Sequence, residues 1–558
     1  MNRTINCIVP IFWSLTSVLV LLYGIWYTSS EYQVLVDWYQ NLEPNFYKND
    51  VWSSIFFTSQ TKGFGETYVW ILFIMSLIVA ISTRNIKLDI KTQSFSPINW
   101  SNCKVDLMIF MLGMLIWFFW QSRAAYATDE VFSAINFASK PFFQTISFYP
   151  LPNNHIFFNA LNHWLSIFRD DLIWTGRLIS GLSFSIILVR IWTFIGRFES
   201  DIFIKLVFIL LLSTIFPIIG FATQARGYSL QLLLAWIAFE QVYFYLKTKE
   251  TRHLSTHVIV MTLGMWTIPS FLFYWIGLSV FVILSGKSYR ILDYKFIYAS
   301  IRILILSLIL YIPVVTFSGW QSVVANKYVA APTELTTSEF FQSFFLSNYF
   351  QGLFNEWFGS GTSNWLAVIL IILPVGLVVM YKQKEQIVLV RLFLSLVFGF
   401  IAVSLIIKKI PFYRNVIIQC WFYWVILFLI IISLIKDRTR FWKNMVVLIM
   451  LTITIYFTFL NFKRYPFQLY YYDVNAWVQS MKDTDLSNLK NQYVFIEDES
   501  FYWHPQIQKV TKQTKSGGKI DLLSDILVIE TNRKGKVDTL IWQQMLQSGE
   551  TLFFKRRK

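Results

Sequence analysis

Charge is what this sequence has least of. Of its 558 residues, 14% are Asp, Glu, Lys or Arg, where a soluble domain carries about 25%. Cysteine is scarcer still. Cys7, Cys103 and Cys420 each sit in or beside an apolar run and form no CxxC pair. That excludes a disulfide framework and a cysteine metal knuckle. No His, Asp or Glu cluster has metal-ligand spacing, so no cofactor is implied and the need for a divalent ion stays open. No glycine-rich loop offers to cradle the phosphates of a nucleotide donor. Internal repeats and low-complexity linkers are absent as well. What is abundant is apolar surface: 55% hydrophobic residues, with 54 Phe, 28 Tyr and 23 Trp. This excludes a disordered chain, a fibrous repeat and an ordinary soluble multidomain enzyme. The composition is that of a polytopic membrane protein. Its net charge of +16 would suggest nucleic acid in a soluble protein. Here it reads as topology, with no nucleic-acid partner, because cytoplasmic loops collect Lys and Arg.

A helix needs about 20 apolar residues to cross the hydrocarbon core. Lipid offers the backbone no partners, so continuous apolar runs must cross as helices. Thirteen such runs are expected: near 8–28, 67–83, 105–124, 172–194, 202–220, 228–246, 256–270, 271–286, 297–316, 364–381, 389–407, 414–435 and 443–461. The first reads as an anchor, since its run is too long for a signal peptide and no small-residue cleavage site follows. Loops holding Arg84, Lys87, Arg190, Arg197, Lys247, Lys249, Lys287, Arg290, Lys382, Lys436 and Arg438 belong in the cytoplasm. The N-terminus is then inside. Segments 29–66, 125–171, 317–363 and the tail from about 462 lie outside. In the tail, Tyr493–Glu497, Asp525–Glu530 and Thr551–Phe554 read as strands, and residues near Ala476–Met481 and Leu540–Leu546 as helices. The expected fold class is an all-α polytopic bundle with a small C-terminal extracytoplasmic α/β domain. Three units follow: 1–104 as a two-helix extension, 105–461 as the bundle and 462–558 as the α/β domain.

The informative residues are ionisable groups at the ends of apolar segments. Asp129 and Glu130 lie just past a span. They read either as a general base with an orienting acceptor or as solvated loop acids. Residues 153–169 fit an amphipathic helix on the outer surface, begun by Asn153, Asn154 and His155. Arg226, in Gln224-Ala-Arg-Gly-Tyr228, and Arg414, after Lys408-Lys-Ile-Pro-Phe-Tyr413, each open an inward-running helix. Cations on the outside run against the positive-inside bias. Lys408 and Lys409 read as snorkelling to headgroups. Arg226 and Arg414 suit phosphate, through the guanidinium fork and the positive helix end. The topology puts all of these on one face, together with the Thr267–Ser270 turn and the aromatic 317–363 loop. Acids for proton transfer and cations for phosphate at a lipid boundary suit group transfer from a lipid phosphate.

In these residues the chain resembles the polytopic glycosyltransferases of the GT-C fold, most closely the family-39 branch of protein O-mannosyltransferases, lipid A aminoarabinose transferase and rhizobial lipopolysaccharide transferases. Asp129-Glu130 matches that family's acidic pair in the first external loop. Pro150-Leu-Pro-Asn-Asn-His155 is a variant of its His/Pro stretch. Arg226-Gly-Tyr228 matches its Arg-x-Tyr, and Pro411-Phe-Tyr-Arg414 its late Pro/Arg-Tyr stretch. The resemblance covers about residues 105–558. It implies an inverting glycosyltransferase in the plasma (inner) membrane, with its active site on the extracytoplasmic side. A sugar would move from a polyprenyl-phosphate-linked donor to a glycan, lipid or protein hydroxyl. Asp129 and Glu130 would be catalytic, Arg226 and Arg414 would bind the donor phosphate, and Asn153, Asn154, His155 and Tyr228 would bind substrate. A flippase of lipid-linked glycans would predict charges near mid-span and repeated halves, whereas the charges here cluster at one end of the helices and no repeat is seen. A non-catalytic scaffold of the same fold has no need of Asp129.

Overall fold

The structure is a computed structural model that describes residues 8–44, 46, 49–83, 100–124, 127–150, 152–169, 171–285, 293–324, 336, 338–340, 342, 349–358, 384–408, 411–435, 439–464, 493–496, 513–516, 526–530, 542–548 and 551–556. Helix α1 spans Ile8–Ser29, α2 Tyr32–Leu42, α3 Ser59–Thr83 and α4 Trp100–Gln121. Three short helices follow: α5 (Thr128–Ser133), α6 (Phe142–Ser147) and α7 (Ile156–Leu165). The bundle continues with α8 (Leu172–Ile195), α9 (Ile202–Thr214), α10 (Phe216–Ala222), α11 (Tyr228–Thr248), α12 (Thr251–Thr267), α13 (Phe271–Ser285), α14 (Tyr294–Leu310) and α15 (Ile312–Phe317). It closes with α16 (Tyr349–Phe358), α17 (Lys384–Ile407), α18 (Ile417–Ile435) and α19 (Arg440–Arg464).

Among the described residues, seven helices are long and apolar enough to cross a membrane, and eight if the bent pair α9–α10 counts as one span. The seven are α1, α3, α4, α8, α11, α18 with the turn before it, and α19. The chain is therefore a helical membrane protein. The thirteen expected crossings are not reached among these residues. The expected spans near 256–270 and 271–286 fall on helices of 17 and 15 residues. The one near 297–316 falls on a 17-residue helix followed by α15, and the apolar part of α17 is also short. The run near 364–381 lies outside the described residues.

Local chemistry explains the helix ends. Asp171 caps α8 by accepting the Trp174 N–H at 3.1 Å, and Asp201 caps α9 by accepting Phe203 N–H at 2.8 Å. The 71° bend after α9 coincides with Pro217, which has no N–H for the Ser213 carbonyl and crowds it. The freed Thr214 carbonyl accepts Asn461 Nδ2 of α19 at 2.8 Å. Helices α8, α11 and α18 are buried on most sides, whereas α1, α4 and α19 present exposed Leu, Ile and Phe outward. Phe208 stacks on Phe428 at 3.6 Å, and Trp236 packs on Phe422 at 5.5 Å.

The extension formed by α1 to α3 is tied to the rest through aromatic packing. Tyr39 stacks on Trp52 (4.1 Å) and on Phe317 (5.1 Å), and Trp52 stacks on Phe57 (5.1 Å). The polar tips of Tyr27, Tyr39 and Trp52 each find a partner. Trp52 Nε1 donates to the Phe317 carbonyl at 2.7 Å, Tyr27 Oη donates to the Thr316 carbonyl at 2.8 Å, and Tyr39 Oη lies 3.0 Å from Ser147 Oγ.

Five strands form one sheet of order β2-β1-β3-β5-β4: β1 Tyr493–Ile496, β2 Gln513–Ser516, β3 Ile526–Glu530, β4 Trp542–Ser548 and β5 Thr551–Arg556. β1 runs parallel to β2 and β3, and β5 antiparallel to β3 and β4. The expected helix near Leu540–Leu546 is a correction: residues 542–546 lie in β4. Ser548 pairs with Thr551 across a two-residue connection, and hairpin pairing overrides a weak helical pattern. The helix expected near 476–481 lies outside the described residues.

Candidate active site

Helix α5 begins with Ala127-Thr-Asp-Glu130, so two adjacent carboxylates leave its first turn in different directions. Glu130 points inward and is fully buried. Its Oε1 accepts the Ala127 N–H at 2.8 Å and its Oε2 accepts the Ala225 N–H at 2.7 Å. Arg177 of α8 closes the carboxylate through Nε (3.1 Å to Oε2) and through Nη2. Arg177 Nη1 also donates to the Ala124 carbonyl at 3.0 Å. Glu130 was expected beside the acceptor or sugar. Its bonds instead join α5, α8 and the segment before α11, and leave it no face for substrate.

Asp129 points the other way, with 39% of its side chain exposed. Its Oδ2 lies 3.1 Å from Arg226 Nη1 and 3.2 Å from Arg414 Nη1. Its Oδ1 accepts Asn153 Nδ2 at 3.4 Å. The three groups come from positions 129, 226 and 414. Burial alone raises the Asp129 carboxyl, but the two guanidiniums outweigh it and hold the carboxyl below its ordinary range.

Arg226 is 2% exposed, and its Nε has no hydrogen-bond partner among the described residues. A buried guanidinium N–H without an acceptor is costly. The same holds for Gln224 Nε2, two residues earlier. His155 supports Arg226 from behind. Its Nδ1 accepts the Gly227 N–H at 2.8 Å, which places the proton of the neutral ring on Nε2. Nε2 lies 3.3 Å from Arg226 Nη2. Two donors then face one region, and neither can satisfy the other. Burial, then the charges of Arg226 and Arg414, hold the His155 pKa well below its ordinary value, so the ring is neutral at pH 7. Tyr228 packs edge-on against the His155 ring at 4.8 Å, and its hydroxyl lies 3.5 Å from Arg226 Nη2.

Glycine makes this approach feasible. A β-carbon on Gly227 would meet Thr267 Cγ2 at 2.8 Å and His155 at 3.1 Å. The Thr267 turn therefore abuts the site. Helix α16, from the 317–363 segment, reaches the turn that carries Arg414: Tyr349 packs on Tyr413 at 5.2 Å.

No family model matches this chain, and no curated protein matches it. Among solved structures it is similar to the arabinosyltransferase EmbB from Mycobacterium smegmatis, at 10% identity and a TM-score of 0.41, over 66% of this chain. The match spans 34% of EmbB.

Of the eight residues singled out in the sequence, Asp129, Asn153, His155, Arg226, Tyr228 and Arg414 come together. Asn154 is drawn away: its Nδ2 donates to the Thr145 and Phe148 carbonyls and its Oδ1 accepts Asn159 Nδ2 at 2.8 Å. It holds the turn before α7. Arg177 is the residue that sequence reasoning missed. Its one signal is a cation inside an apolar run, which needs a buried partner. Among the described residues, no group of three His, Cys, Asp or Glu is placed to hold a metal ion.

Proposed function

We propose that this chain is a membrane glycosyltransferase that moves a sugar from a polyprenyl-phosphate donor to a hydroxyl acceptor, inverting the anomeric centre. The observation that carries the reading is the part-exposed Asp129 carboxylate set against two guanidiniums at 3.1 and 3.2 Å. One face thus holds a proton acceptor beside two guanidiniums, and the Nε of one of them, Arg226, has no partner among the described residues. Asp129 takes the proton of the attacking hydroxyl. Arg226 and Arg414, with His155 Nε2–H, stabilise the phosphate as it departs. Asn153 orients Asp129, and Tyr228 fixes the His155 ring. In this reading the face is extracytoplasmic, in the plasma (inner) membrane. Residues 105–461 form the catalytic bundle, 1–104 the extension and 462–558 an extracytoplasmic α/β domain. The acceptor is a glycan, lipid or protein hydroxyl.

The test is sugar transfer in membranes from a panel of radiolabelled polyprenyl-phosphate sugars, with wild type beside Asp129→Asn. Removing a general base costs about 10²–10⁴ in rate. Labelling that disappears in the variant at equal protein level supports the reading. Equal labelling removes Asp129 from the chemistry.

A further inference from the structure

We propose that Arg226 and Arg414 hold Asp129 in check until the donor phosphate draws them away, so that donor binding itself makes the base competent. This rests on the reading above. The argument is one of competition for the same atoms. Both guanidiniums place Nη1 on a single carboxylate oxygen, Oδ2. A carboxylate so paired is a poor proton acceptor. A donor phosphate beside Asp129 would meet the same two guanidiniums, since among the described residues no other arginine or lysine contacts Asp129. Asn153 faces Asp129 from the α7 side and is neutral, and His155, behind Arg226, is neutral too. The charges acting on Asp129 in direct contact are therefore these two.

The cycle follows. The phosphodiester of the donor takes Arg226 and Arg414, and Asp129 loses the pairing that weakens it. The acceptor hydroxyl then attacks the anomeric carbon. Its oxygen forms the new C–O bond, its proton passes to Asp129, and the old bond to the phosphate oxygen breaks with its electron pair leaving on the phosphate. When the lipid phosphate departs, the guanidiniums return to Asp129 and drive its proton into solvent. Donor first and acceptor second is the order this imposes, and a hydroxyl is not activated while no donor is present.

The two anions compete, so removing one should tighten the other. The probe is dicitronellyl phosphate, a prenyl phosphodiester with one fixed negative charge and no sugar. Its Kd is measured at pH 7 by calorimetry on the full chain in nanodiscs. Asp129→Asn should bind it about tenfold more tightly than wild type, the scale of one charge-assisted contact released. Asp129→Ala repeats the measurement if the carboxamide disturbs folding. An unchanged or weaker Kd in both variants overturns the proposal, even with transfer abolished, and leaves the glycosyltransferase reading intact. If the double variant Arg226→Gln/Arg414→Gln binds the probe as wild type does, the cationic clamp itself falls, and this proposal with it.

Discussion

Glu130 and Ala225 stand 95 positions apart in the chain, yet Glu130 Oε2 accepts the Ala225 N–H at 2.7 Å. Each is next to a residue of the candidate site: Asp129 precedes Glu130 and Arg226 follows Ala225. The bond therefore sets the separation between Asp129 and Arg226 from behind, and Arg177 sets Glu130.

Arg177→Met should be among the most destabilising single changes in the chain. It strands the fully buried Glu130 carboxylate, and breaking a buried pair costs about 3–5 kcal/mol. The double variant Glu130→Gln/Arg177→Met removes the stranded charge as well and should regain part of that loss. Thermal unfolding in detergent checks both. A double variant no more stable than Arg177→Met would show that the pair's value is not electrostatic.

His155 makes stability depend on pH. Its folded pKa lies well below the unfolded 6.5, so the unfolded chain binds more protons at mildly acidic pH. Stability from this group is present above about 6.5 and is lost as pH falls toward the depressed folded value. His155→Gln keeps an acceptor but does not titrate. The melting temperature of wild type minus that of His155→Gln should decline between pH 7 and pH 5. A difference that is flat or rises would overturn the assignment of a neutral, Nδ1-accepting ring.

The longest apolar runs were legible because lipid leaves the backbone one solution, and run length reports it, whereas the shorter runs near 256–270 and 271–286 fall on helices of 17 and 15 residues. Asp129, Arg226 and Arg414 were legible because charge at the end of an apolar run needs a reason. The Glu130–Arg177 pair was not legible, since a carboxylate beside a catalytic candidate looks the same in sequence whether it faces substrate or an arginine 47 positions away. The turn that Asn154 holds was not legible for a related reason: a short amide serves turns and ligands equally well. Strand β4 was lost to a local pattern that only its pairing with β5 resolves.

The N-terminal extension had no legible role, and the structure supplies a packing one. Trp52 is fully buried, stacks on Phe57 and Tyr39, and bonds the Phe317 carbonyl. The next residue, Ser318, accepts the Tyr149 N–H at 2.9 Å and donates to the Ser147 carbonyl at 2.6 Å. That segment leads to Asn153 and His155. Trp52→Ala should cost about 3–5 kcal/mol and reduce sugar transfer through the segment it holds. Full transfer at full expression would separate the extension from the site.

Gly176 of α8 faces Ala225, the residue before Arg226. A β-carbon there would lie 2.7 Å from Ala225 Cβ, 3.3 Å from Ala225 Cα and 3.0 Å from Asn162 Nδ2. None of these can swing aside freely. Ala225 is backbone held by Glu130, and Asn162 Nδ2 donates to the Leu172 carbonyl at 2.8 Å. Overpacking of this kind costs about 1–3 kcal/mol. The larger effect falls on function, because the loop must move and Arg226 moves with it. A displacement near 1 Å costs about 10² in rate when reacting groups lose alignment. Gly176→Ala should thus lower kcat far more than its modest loss of stability explains. Gly63→Ala is the control: its β-carbon meets nothing within 4 Å, and it should be neutral or slightly stabilising. The decisive variant is Gly176→Ala/Ala225→Gly, which exchanges the methyl between the two sides of the contact. Recovery of transfer in that double variant would place the defect in this one contact. Transfer that stays low would mean that Gly176 acts through α8 and not through Arg226.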